Sequence, residues 1–581
     1  MPTQLMTPGV YIEEKNAFPG SVVAVDTAVP VFIGYTQNAE RNGKTLVGIP
    51  TRITSFAEYA LYFGGPFKPV FTITSAGGAT AATPATPTAP TDAAKPEDAA
   101  KPEAPADATK PADAAKPAAT PSKGAIKLKV NGKDMVLDLK DKNISYFYNS
   151  IRLFYANGGG NCYILSIGTY GDSKDGLDIK AEDILGSDTK PNVFETLKKE
   201  YEPTLVVIPD MIALGTDCYV SVYQAVLAHC GDMQSRFGIF DLVQQTPTDT
   251  TDDIVESFRD LIGIKNLNYG AAYYPWLKTT IVQPSEVTFG NIDIDVFDEN
   301  AMKALFPEDP IGDIINKMIK KLKEKKVNAT RGRNEQLQGT ALEQAVAAAT
   351  LTADDKKMDD SDALHFHQSL KAASPTYAYI LQEISEKLNE LPPSGAIAGV
   401  YSFTDSSRGV WKSPANMSVS MVTAPSINIT DEQQKKLNVD VMAGKSVNVI
   451  RPFPGIGTLI WGARTLDGNS QDWRYINVRR TIIMIEQSIK LAVRAYVFEP
   501  NDNSTWITIK SMINNFLTNL WKQGALAGAA AEQAFDVQIG LGATMTPTDI
   551  LDGVMKVTVK LAIVRPAEFI VLTFQQQQQL S

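Results

Sequence analysis

The chain has 581 residues, 44% hydrophobic and 21% charged, with 55 Lys and Arg against 65 Asp and Glu and a formal net charge of −10. This length predicts several packed domains at roughly 100–200 residues each. An acidic chain is poorly suited to neutralising nucleic-acid phosphates, and no apolar run reaches the ~20 residues of a membrane-spanning helix. Three Cys without CxxC spacing and three His argue against a disulfide framework and a zinc site. We therefore expect no metal, no cofactor, no nucleic acid and no direct membrane insertion.

The distribution of charge differs along the chain. Residues 391–581 hold 17 Lys and Arg and 14 Asp and Glu, a net +3, which leaves −13 for the rest. This difference is either compositional noise or a sign that the C-terminal third faces an acidic partner. The N-terminus lacks a basic start and an apolar core, so we expect no secretory signal and folding in the cytoplasm.

Short apolar runs bounded by turn residues predict β-strands, and apolar residues at helical spacing predict helices. The predicted strands are 22–25, 29–33, 126–130, 135–139, 162–167, 205–209, 237–242 and 557–563. The predicted helices are 146–155, 219–230, 314–327 and 506–521. Asn131-Gly132 predicts a hairpin turn between two of the strands. The alternation of helices and strands up to residue 242 indicates an α/β domain with a mainly parallel sheet.

The most regular predicted helix is 506–521. Its apolar stripe is Trp506, Ile509, Ile513, Phe516, Leu517 and Leu520. Asp502 or Ser504 is expected to cap its start, and Gly524 to end it. The opposite stripe is Thr508, Ser511, Asn515, Thr518 and Lys522. This stripe is either solvated or a contact surface.

Both chain ends carry short β-prone runs. The run Phe569, Ile570, Val571 and Leu572 is apolar on both faces of an extended strand and precedes a Gln-rich end, and Val10, Tyr11 and Ile12 form a shorter run near the start. These runs either pair within their own domain or leave the subunit to add strands to neighbouring copies. Head-to-tail donation that does not close on itself builds a helix or filament. We predict the second arrangement.

Several motifs in order give the chain a family resemblance. They are TPGVYIEE at 7–14, FYANGGGNCY at 154–163, PPSG at 392–395, TDSSRGVWKSPAN at 404–416, IRPFPG at 450–455, WGARTL at 461–466, WRYINVRR at 473–480, YVFEPND at 496–502 and VRPAEFI at 564–570. Together they resemble the contractile tail sheath proteins of phages and extracellular contractile injection systems. The likeness covers the first ~70 residues and nearly all of the last ~190, and is weaker between 143 and 277.

The resemblance implies a multidomain α/β subunit with α+β elements. Its N- and C-terminal segments would form a core domain that carries an inserted α/β domain and a mostly helical insertion. The expected parts are 1–30 (N-terminal arm and start of the core), 31–74 with 123–284 (inserted α/β domain), 75–122 (Ala/Pro/Lys-rich insertion), 285–372 (mostly helical outer insertion), 373–563 (C-terminal sheath core) and 564–581 (C-terminal arm strand and Gln-rich end). The composition of 75–122 buries little apolar surface, so we expect a solvated segment.

The resemblance also implies a mechanical function. Sheath subunits stack as six-membered rings around an inner tube, exchange arm strands and contract to drive the tube through a target envelope. The implied partners are further copies of the chain, sheath paralogues, the inner tube, and baseplate and terminator or cap proteins. Assembly would occur in the bacterial cytoplasm, and the product would be a virion or a phage tail-like particle, released or envelope-associated. Lys510, Asn515 and Lys522 are the candidate tube-facing residues.

Two alternatives remain from the residues. One is a filament or adhesin subunit that does not contract. The other is a metal-dependent hydrolase that uses His365 and His367, on one face of a strand, with Asp360 or Asp362, or a nucleophilic Cys162. The chain lacks the G-x-S-x-G and GxxxxGK[ST] patterns, and a cysteine in a buried strand is inert, so we expect no enzyme.

Three arginines and three tryptophans belong to these motifs. Arg474, Arg479 and Arg480 are expected to form structural salt bridges, and Trp411, Trp461 and Trp473 to lie in the core.

Overall fold

A computed structural model describes residues 21–75, 125–130, 132–140, 144–171, 177–187, 190–246, 249–329, 337–352 and 355–573. The chain divides into two compact units, one of residues 1–68, 143–287 and 381–581, and one of residues 69–142 and 288–380. The arm residues Val10, Tyr11 and Ile12, the segment 76–122 and the Gln-rich end lie outside the described residues. The domain boundaries expected from the sequence stay predictions.

The described residues contain, in chain order, the strands β1 to β19. They are β1 (Pro30–Thr36), β2 (Glu40–Arg41), β3 (Lys44–Thr45), β4 (Thr51–Ile53), β5 (Phe71–Ser75), β6 (Ile126–Val130), β7 (Lys133–Leu139), β8 (Cys162–Thr169), β9 (Leu205–Val207), β10 (Phe237–Asp241), β11 (Gly270–Tyr274), β12 (Leu277–Thr279), β13 (Glu390–Leu391), β14 (Met417–Ser418), β15 (Val422–Pro425), β16 (Val447–Phe453), β17 (Gly457–Trp461), β18 (Phe535–Ile539) and β19 (Val557–Leu561).

The α-helices follow in the same order. They are α1 (Phe56–Phe63), α2 (Phe147–Ala156), α3 (Glu182–Leu185), α4 (Val193–Leu197), α5 (Gln224–Met233), α6 (Thr251–Leu261), α7 (Glu299–Leu305), α8 (Pro310–Ala329), α9 (Thr340–Ala348), α10 (Asp360–Ala373), α11 (Pro375–Leu388), α12 (Ser394–Arg408), α13 (Asp431–Asn438), α14 (Ile476–Val493), α15 (Asn503–Lys522), α16 (Ala531–Ala534) and α17 (Pro547–Leu551). A π-helical turn, Tyr219–Tyr223, leads into α5. Within these ranges, no helix is long and apolar enough to cross a bilayer.

The first unit is built on a nine-stranded sheet with the order β14-β17-β16-β11-β10-β9-β1-β8-β4. The six strands from β16 to β8 run parallel to one another, and β4, β17 and β14 are antiparallel additions at the two sides. Strands buried on both faces require continuous apolar sequence. Val31, Phe32 and Ile33 on β1 meet that requirement and are fully buried. The predicted mixed α/β composition and mainly parallel sheet are confirmed.

Two buried aspartates lie at the carboxyl ends of adjacent strands and accept hydrogen bonds from the N-termini of two helices. Asp210 follows β9 and accepts hydrogen bonds from the backbone N–H of Tyr146 (2.7 Å) and Phe147 (3.0 Å) at α2. Asp241 ends β10 and accepts from the N–H (2.8 Å) and hydroxyl (2.5 Å) of Ser394 at α12. Burial raises the pKa of Asp210 to about 6 and that of Asp241 to about 7, although these hydrogen bonds oppose the rise. The two carboxylates thereby supply acceptors for helix N-termini inside the core.

The second unit combines the three-stranded sheet β5-β7-β6 with α7 to α10 and the start of α11. The strands β6 and β7 form the predicted hairpin, with Val130 paired to Lys133. The helix predicted over 314–327 is α8, and its lysine-rich face forms ion pairs rather than a free basic surface. These pairs are Lys321 with Asp362, Lys325 with Asp359 and Lys326 with Asp355.

Two expectations about local structure are wrong. The run 22–25 forms no strand, and its Val22 and Val25 instead pack on the apolar cluster around α15. Trp461 is 39% exposed because it lies at the end of the hairpin strand β17, next to the sheet's outermost strand, whereas Trp411 and Trp473 are half-buried. Large aromatic residues occur both inside and at the surface of folded proteins, so a tryptophan in a motif does not by itself predict a core position.

Candidate assembly site

One of the smaller sheets of the first unit consists of two strands within the described residues. The strands β18 and β19 pair in antiparallel register, with Val537 opposite Val559. The side chains of Phe535, Val537, Ile539, Val557, Val559 and Leu561 belong to the apolar cluster that includes α15. A two-stranded sheet is marginal by itself, and within the described residues neither β18 nor β19 has a second partner strand, so an outer edge can accept another strand. We call this sheet the ribbon.

The helix α15 covers one face of the ribbon. Asp502 caps its start by accepting a hydrogen bond from the N–H of Thr505 at 3.0 Å, which confirms the first of the two predicted caps. Its inward face is Ile509, Met512, Ile513, Phe516, Leu517 and Leu520, all buried. The helix predicted over 506–521 is therefore confirmed as Asn503–Lys522.

The three candidate tube-facing residues are all exposed on α15, but they do not share one face. At about 100° per residue, Asn515 and Lys522 lie about 20° apart around the helix axis, and Lys510 lies more than about 100° from both. Asn515 and Lys522 are thus on the polar stripe opposite the core, whereas Lys510 borders the buried face. Contact with a tube stays a prediction for all three.

The C-terminal segment leaves the ribbon and becomes exposed. Ala562 donates its N–H to the carbonyl of Ala534 at 2.9 Å, and Leu526 pairs with Ile563 as an isolated bridge. Beyond this point, Phe569, Ile570, Val571 and Leu572 are 70%, 78%, 87% and 72% exposed. In the described chain these residues belong to no strand. A contiguous apolar run left in water is typical of an interaction segment. We call residues 569–573 the C-terminal arm.

The residues proposed for catalysis are placed where they cannot act together. His365 and His367 lie on α10, not on a strand, so they are about 200° apart around the helix axis. His367 is buried with Nδ1 at 2.9 Å from the Tyr377 hydroxyl, and His365 is exposed. In the described part of the chain, no group of three or more His, Cys, Asp or Glu is arranged to hold a metal ion. The geometry expected for a two-histidine metal site is therefore wrong.

Cys162 and a second cysteine, Cys230, are fully buried. Cys162 is fully buried on β8, and burial raises the pKa of its thiol to about 12. Because the thiolate is the reactive form, a thiol with this pKa is a poor nucleophile at neutral pH. Burial and the charge of Arg236 lower the pKa of His229 to about 3, so this imidazole stays neutral.

The motif arginines have structural contacts that sequence reasoning predicted in part. Arg480 forms a buried ion pair with Asp405, with Nη2 at 2.5 Å from Oδ2. Arg479 donates from Nη2 to the Tyr269 hydroxyl at 2.5 Å and lies 3.8 Å from Glu486. Arg474 donates from Nε to the backbone carbonyl of Ser470 at 3.0 Å, and its expected salt bridge stays a prediction.

Comparison with known proteins connects the ribbon, α15 and the C-terminal arm to one family. Residues 469–577 match the family described as phage tail sheath C-terminal domain. The chain is 25% identical over 191 residues to the tail sheath protein of Vibrio phage KVP40, covering 33% of this chain and 27% of that protein. It is 27% identical over 157 residues to the tail sheath protein of Salmonella phage ViI, covering 26% and 24%. The matched stretch thus spans about a quarter of the length of these curated relatives.

Two solved structures match over nearly the whole chain. The sheath complex of the extracellular contractile injection system PVC, in its contracted state, superposes with a TM-score of 0.54 and 25% identity over 99% of both chains. The contracted helical sheath of the anti-feeding prophage gives a TM-score of 0.52 and 26% identity over 99% of this chain and 100% of that one. The chain therefore resembles sheath proteins both in its fold and in its C-terminal region. The chain is a homologue of the contractile tail sheath proteins of phages and contractile injection systems.

Proposed function

We propose that the chain is the repeating subunit of a contractile sheath, which polymerises as stacked six-membered rings around an inner tube and contracts to drive the tube through a target envelope. The observation that carries the proposal is the pairing, in one unit, of an open-edged ribbon with an exposed apolar arm. Each copy then offers both a strand and an edge that lacks one, so copies join head to tail without closing.

The alternation of side chains along the C-terminal arm limits how the ribbon of a neighbouring copy can bind it. In an extended strand Phe569 and Val571 face one side, and Ile570 and Leu572 face the other. The ribbon is apolar only on the face toward α15, since the other face carries Asp536, Gln538, Thr558 and Lys560. An added strand therefore continues the α15-side core with one pair of side chains, and its other pair needs cover from a further copy.

The size of this contact suits a reversible lattice. Burial of four large apolar side chains at about 1.5–3 kcal/mol each gives on the order of 6–12 kcal/mol before costs. Ordering of the arm subtracts much of this gain. Single contacts are then moderate and the repeated lattice is strong. The arms keep copies tethered while the other interfaces repack, and better packing in the contracted state supplies the energy, without nucleotide hydrolysis by this chain.

We also propose further contacts, partners and a location for the subunit. The N-terminal arm with Val10, Tyr11 and Ile12 donates a second strand, and the polar stripe with Asn515 and Lys522 faces the tube. Baseplate and terminator or cap proteins, together with sheath paralogues, are the further partners. The product is a virion or a phage tail-like particle that is assembled in the bacterial cytoplasm and then released or held at an envelope.

Deletion of the C-terminal arm tests the proposal. A variant that ends at residue 568 is expected to remain a folded monomer with an unchanged midpoint of thermal unfolding, since the removed apolar residues are exposed. It is expected to form no tubes in negative-stain images, whereas the full chain forms long, narrow tubes that convert to short, wide ones. Tubes of normal abundance from the deletion would contradict strand donation. Tubes of one invariant diameter from the full chain would instead indicate a filament that does not contract.

A further inference from the structure

Glu568, the last residue before the C-terminal arm, is held by three side chains of its own subunit. Arg464 reaches it with two parallel contacts, Nε to Oε1 at 2.9 Å and Nη2 to Oε2 at 2.8 Å. The Tyr475 hydroxyl donates to Oε2 at 3.0 Å, and Asn438 donates from Nδ2 to Oε1 at 2.6 Å. The side chains of Arg464 and Glu568 are 4% and 19% exposed. This two-pronged geometry in a largely dry site is the strong form of an ion pair.

The arginine of this pair is itself fixed to the large sheet. Its backbone N–H donates to Oδ1 of Asn448 at 2.8 Å, and Asn448 returns a hydrogen bond from Nδ2 to the Arg464 carbonyl at 2.8 Å. Asn448 is fully buried on β16. Arg464 also forms an isolated antiparallel bridge with Tyr475, which places two of the three donors on one rigid support. A pull on Glu568 is therefore transmitted to the nine-stranded sheet.

The charge of Glu568 is secured as well. Burial by itself would raise the pKa of Glu568, but hydrogen bonds from Arg464 and Asn438 and the charge of Arg464 outweigh it and hold this pKa below its usual range. The carboxylate is ionised at neutral pH, so the ion pair is present under the conditions in which copies would assemble.

The N-terminal side of the chain has a similar arrangement. Thr27 donates its hydroxyl to Oδ2 of Asp405 at 2.6 Å and accepts at its carbonyl from Nη2 of Arg480 at 2.9 Å. Asp405 and Arg480 are 5% and 3% exposed and pair with each other. Thr27 near the start of the described chain and Glu568 near its end thus each contact a buried arginine.

We propose that Arg464 and Glu568 are positioning residues for strand donation, which anchor the root of the C-terminal arm to the sheet of its own subunit. The anchor fixes the direction in which the arm leaves and bears the tension that a neighbouring copy applies. This inference rests on the proposed strand donation. It adds that strand donation requires Glu568 to be held rigidly by Arg464. An intact C-terminal arm is then expected to donate its strand poorly when this ion pair is lost.

The test is a substitution that loosens the root and leaves the arm intact. Glu568→Gln removes the charge while keeping the side-chain length, and leaves the buried Arg464 without its counter-ion. We expect the protein concentration needed for tube formation to rise by about tenfold or more, because loss of one partner of a buried pair is strongly destabilising. The matched control is Asp472→Ala. It removes an exposed pair with Arg565 in the same region (3.7 Å, side chains 81% and 52% exposed) and is expected to change nothing measurable.

A distance measurement separates an anchor from general stability. The native thiols of Cys162, Cys218 and Cys230 are buried, so spin labels attach only to introduced cysteines. With Val571→Cys and Lys510→Cys in the monomer, we expect a narrow distribution of label distances in the parent chain. The distribution should become broad when Glu568→Gln is added. If Glu568→Gln does not fold, Tyr475→Phe replaces it, because this change removes one donor and keeps the ion pair.

The outcomes are distinct. A broadened distribution with a raised assembly threshold supports the anchor. An unchanged distribution, or an unchanged threshold while the deletion after residue 568 abolishes tubes, overturns the anchor and leaves strand donation in place. Normal tubes from the deletion itself overturn strand donation and the anchor together.

Discussion

The large sheet and the ribbon belong to the same unit but differ in the burial and the pairing of their strands. Most residues of the parallel strands in the large sheet are buried, and β1 is buried along its whole length with a paired strand on each side. The ribbon strand β19 alternates between half-buried and exposed residues and has one partner strand in the described chain. Seven of the nine strands in the large sheet are paired on both sides within one copy, whereas each ribbon strand has a single partner in the described chain. This difference separates folding from assembly: changes in the first should unfold the monomer, and changes in the second should leave the monomer intact.

The helices α2 and α12, which pack on the large sheet, offer the sharpest test of how that region folds. A Cβ at Gly399 would lie 2.5 Å from the carbonyl oxygen of Phe154 and 2.8 Å from Cβ of Asn157, so the two helices pack at backbone contact. Gly399→Ala is expected to lower the free energy of unfolding of the monomer by about 2–3 kcal/mol, since neither helix backbone can move aside cheaply. Denaturant unfolding of the monomer measures this loss.

The control for this change is Gly160→Ala, where the added methyl group would meet only Ser402 Oγ at 3.8 Å. An equal loss of stability in both variants would show that the close approach of α2 and α12 does not determine the effect.

The buried carboxylate of Asp241 predicts a pH dependence inside the large sheet. Its pKa is raised from 3.8 to about 7, chiefly by burial, so the folded state binds its proton more tightly than the unfolded state. The resulting stability is fully present below about pH 4 and is lost as the pH rises through about 7. When the pH falls from 8 to 5, the free energy of unfolding of the wild type should therefore rise by on the order of 1–3 kcal/mol relative to that of Asp241→Asn. Denaturant unfolding at both pH values measures the difference.

A second aspartate serves as the control for pH. Asp253 caps α6 at the surface, and hydrogen bonds from Thr250 lower its pKa. Its contribution is lost only as the pH falls through this lowered pKa, so Asp253→Asn should differ from the wild type by the same amount at pH 5 and pH 8. A pH response of the same size in both variants would contradict the assignment to Asp241.

The large sheet was also the more predictable region from sequence. Strands such as β8 and β10 are continuous apolar runs bounded by polar residues, so their local pattern and their final burial agree. The run 22–25 has the same β-branched character, but Val22 and Val25 pack on the apolar cluster around α15 and belong to no strand in the described chain. A spacing of two would place His365 and His367 on one face of a strand, whereas on the helix α10 it places them on different sides.

The root of the C-terminal arm shows what sequence could not reveal. Glu568 lies 104 residues from Arg464 and 130 from Asn438 along the chain, so no local sequence pattern shows that they meet. The pairing depends on the tertiary fold, which brings three separate motifs together. A signal was nevertheless available, because WGARTL, WRYINVRR and VRPAEFI each contribute one charged or hydroxyl-bearing residue to the site.

The smallest effect is expected on the polar stripe of α15, where a surface change should leave the monomer alone. Lys522→Glu reverses one exposed charge and should alter the stability of the monomer by no more than about 0.5 kcal/mol. If the stripe faces an acidic tube, assembly around that tube should weaken and become less sensitive to salt, because one attractive contact is lost. Lys510→Glu makes the same charge change on a different side of the helix and should weaken assembly less. Equal effects of the two changes would mean that net charge, rather than a face of α15, determines the interaction with the tube.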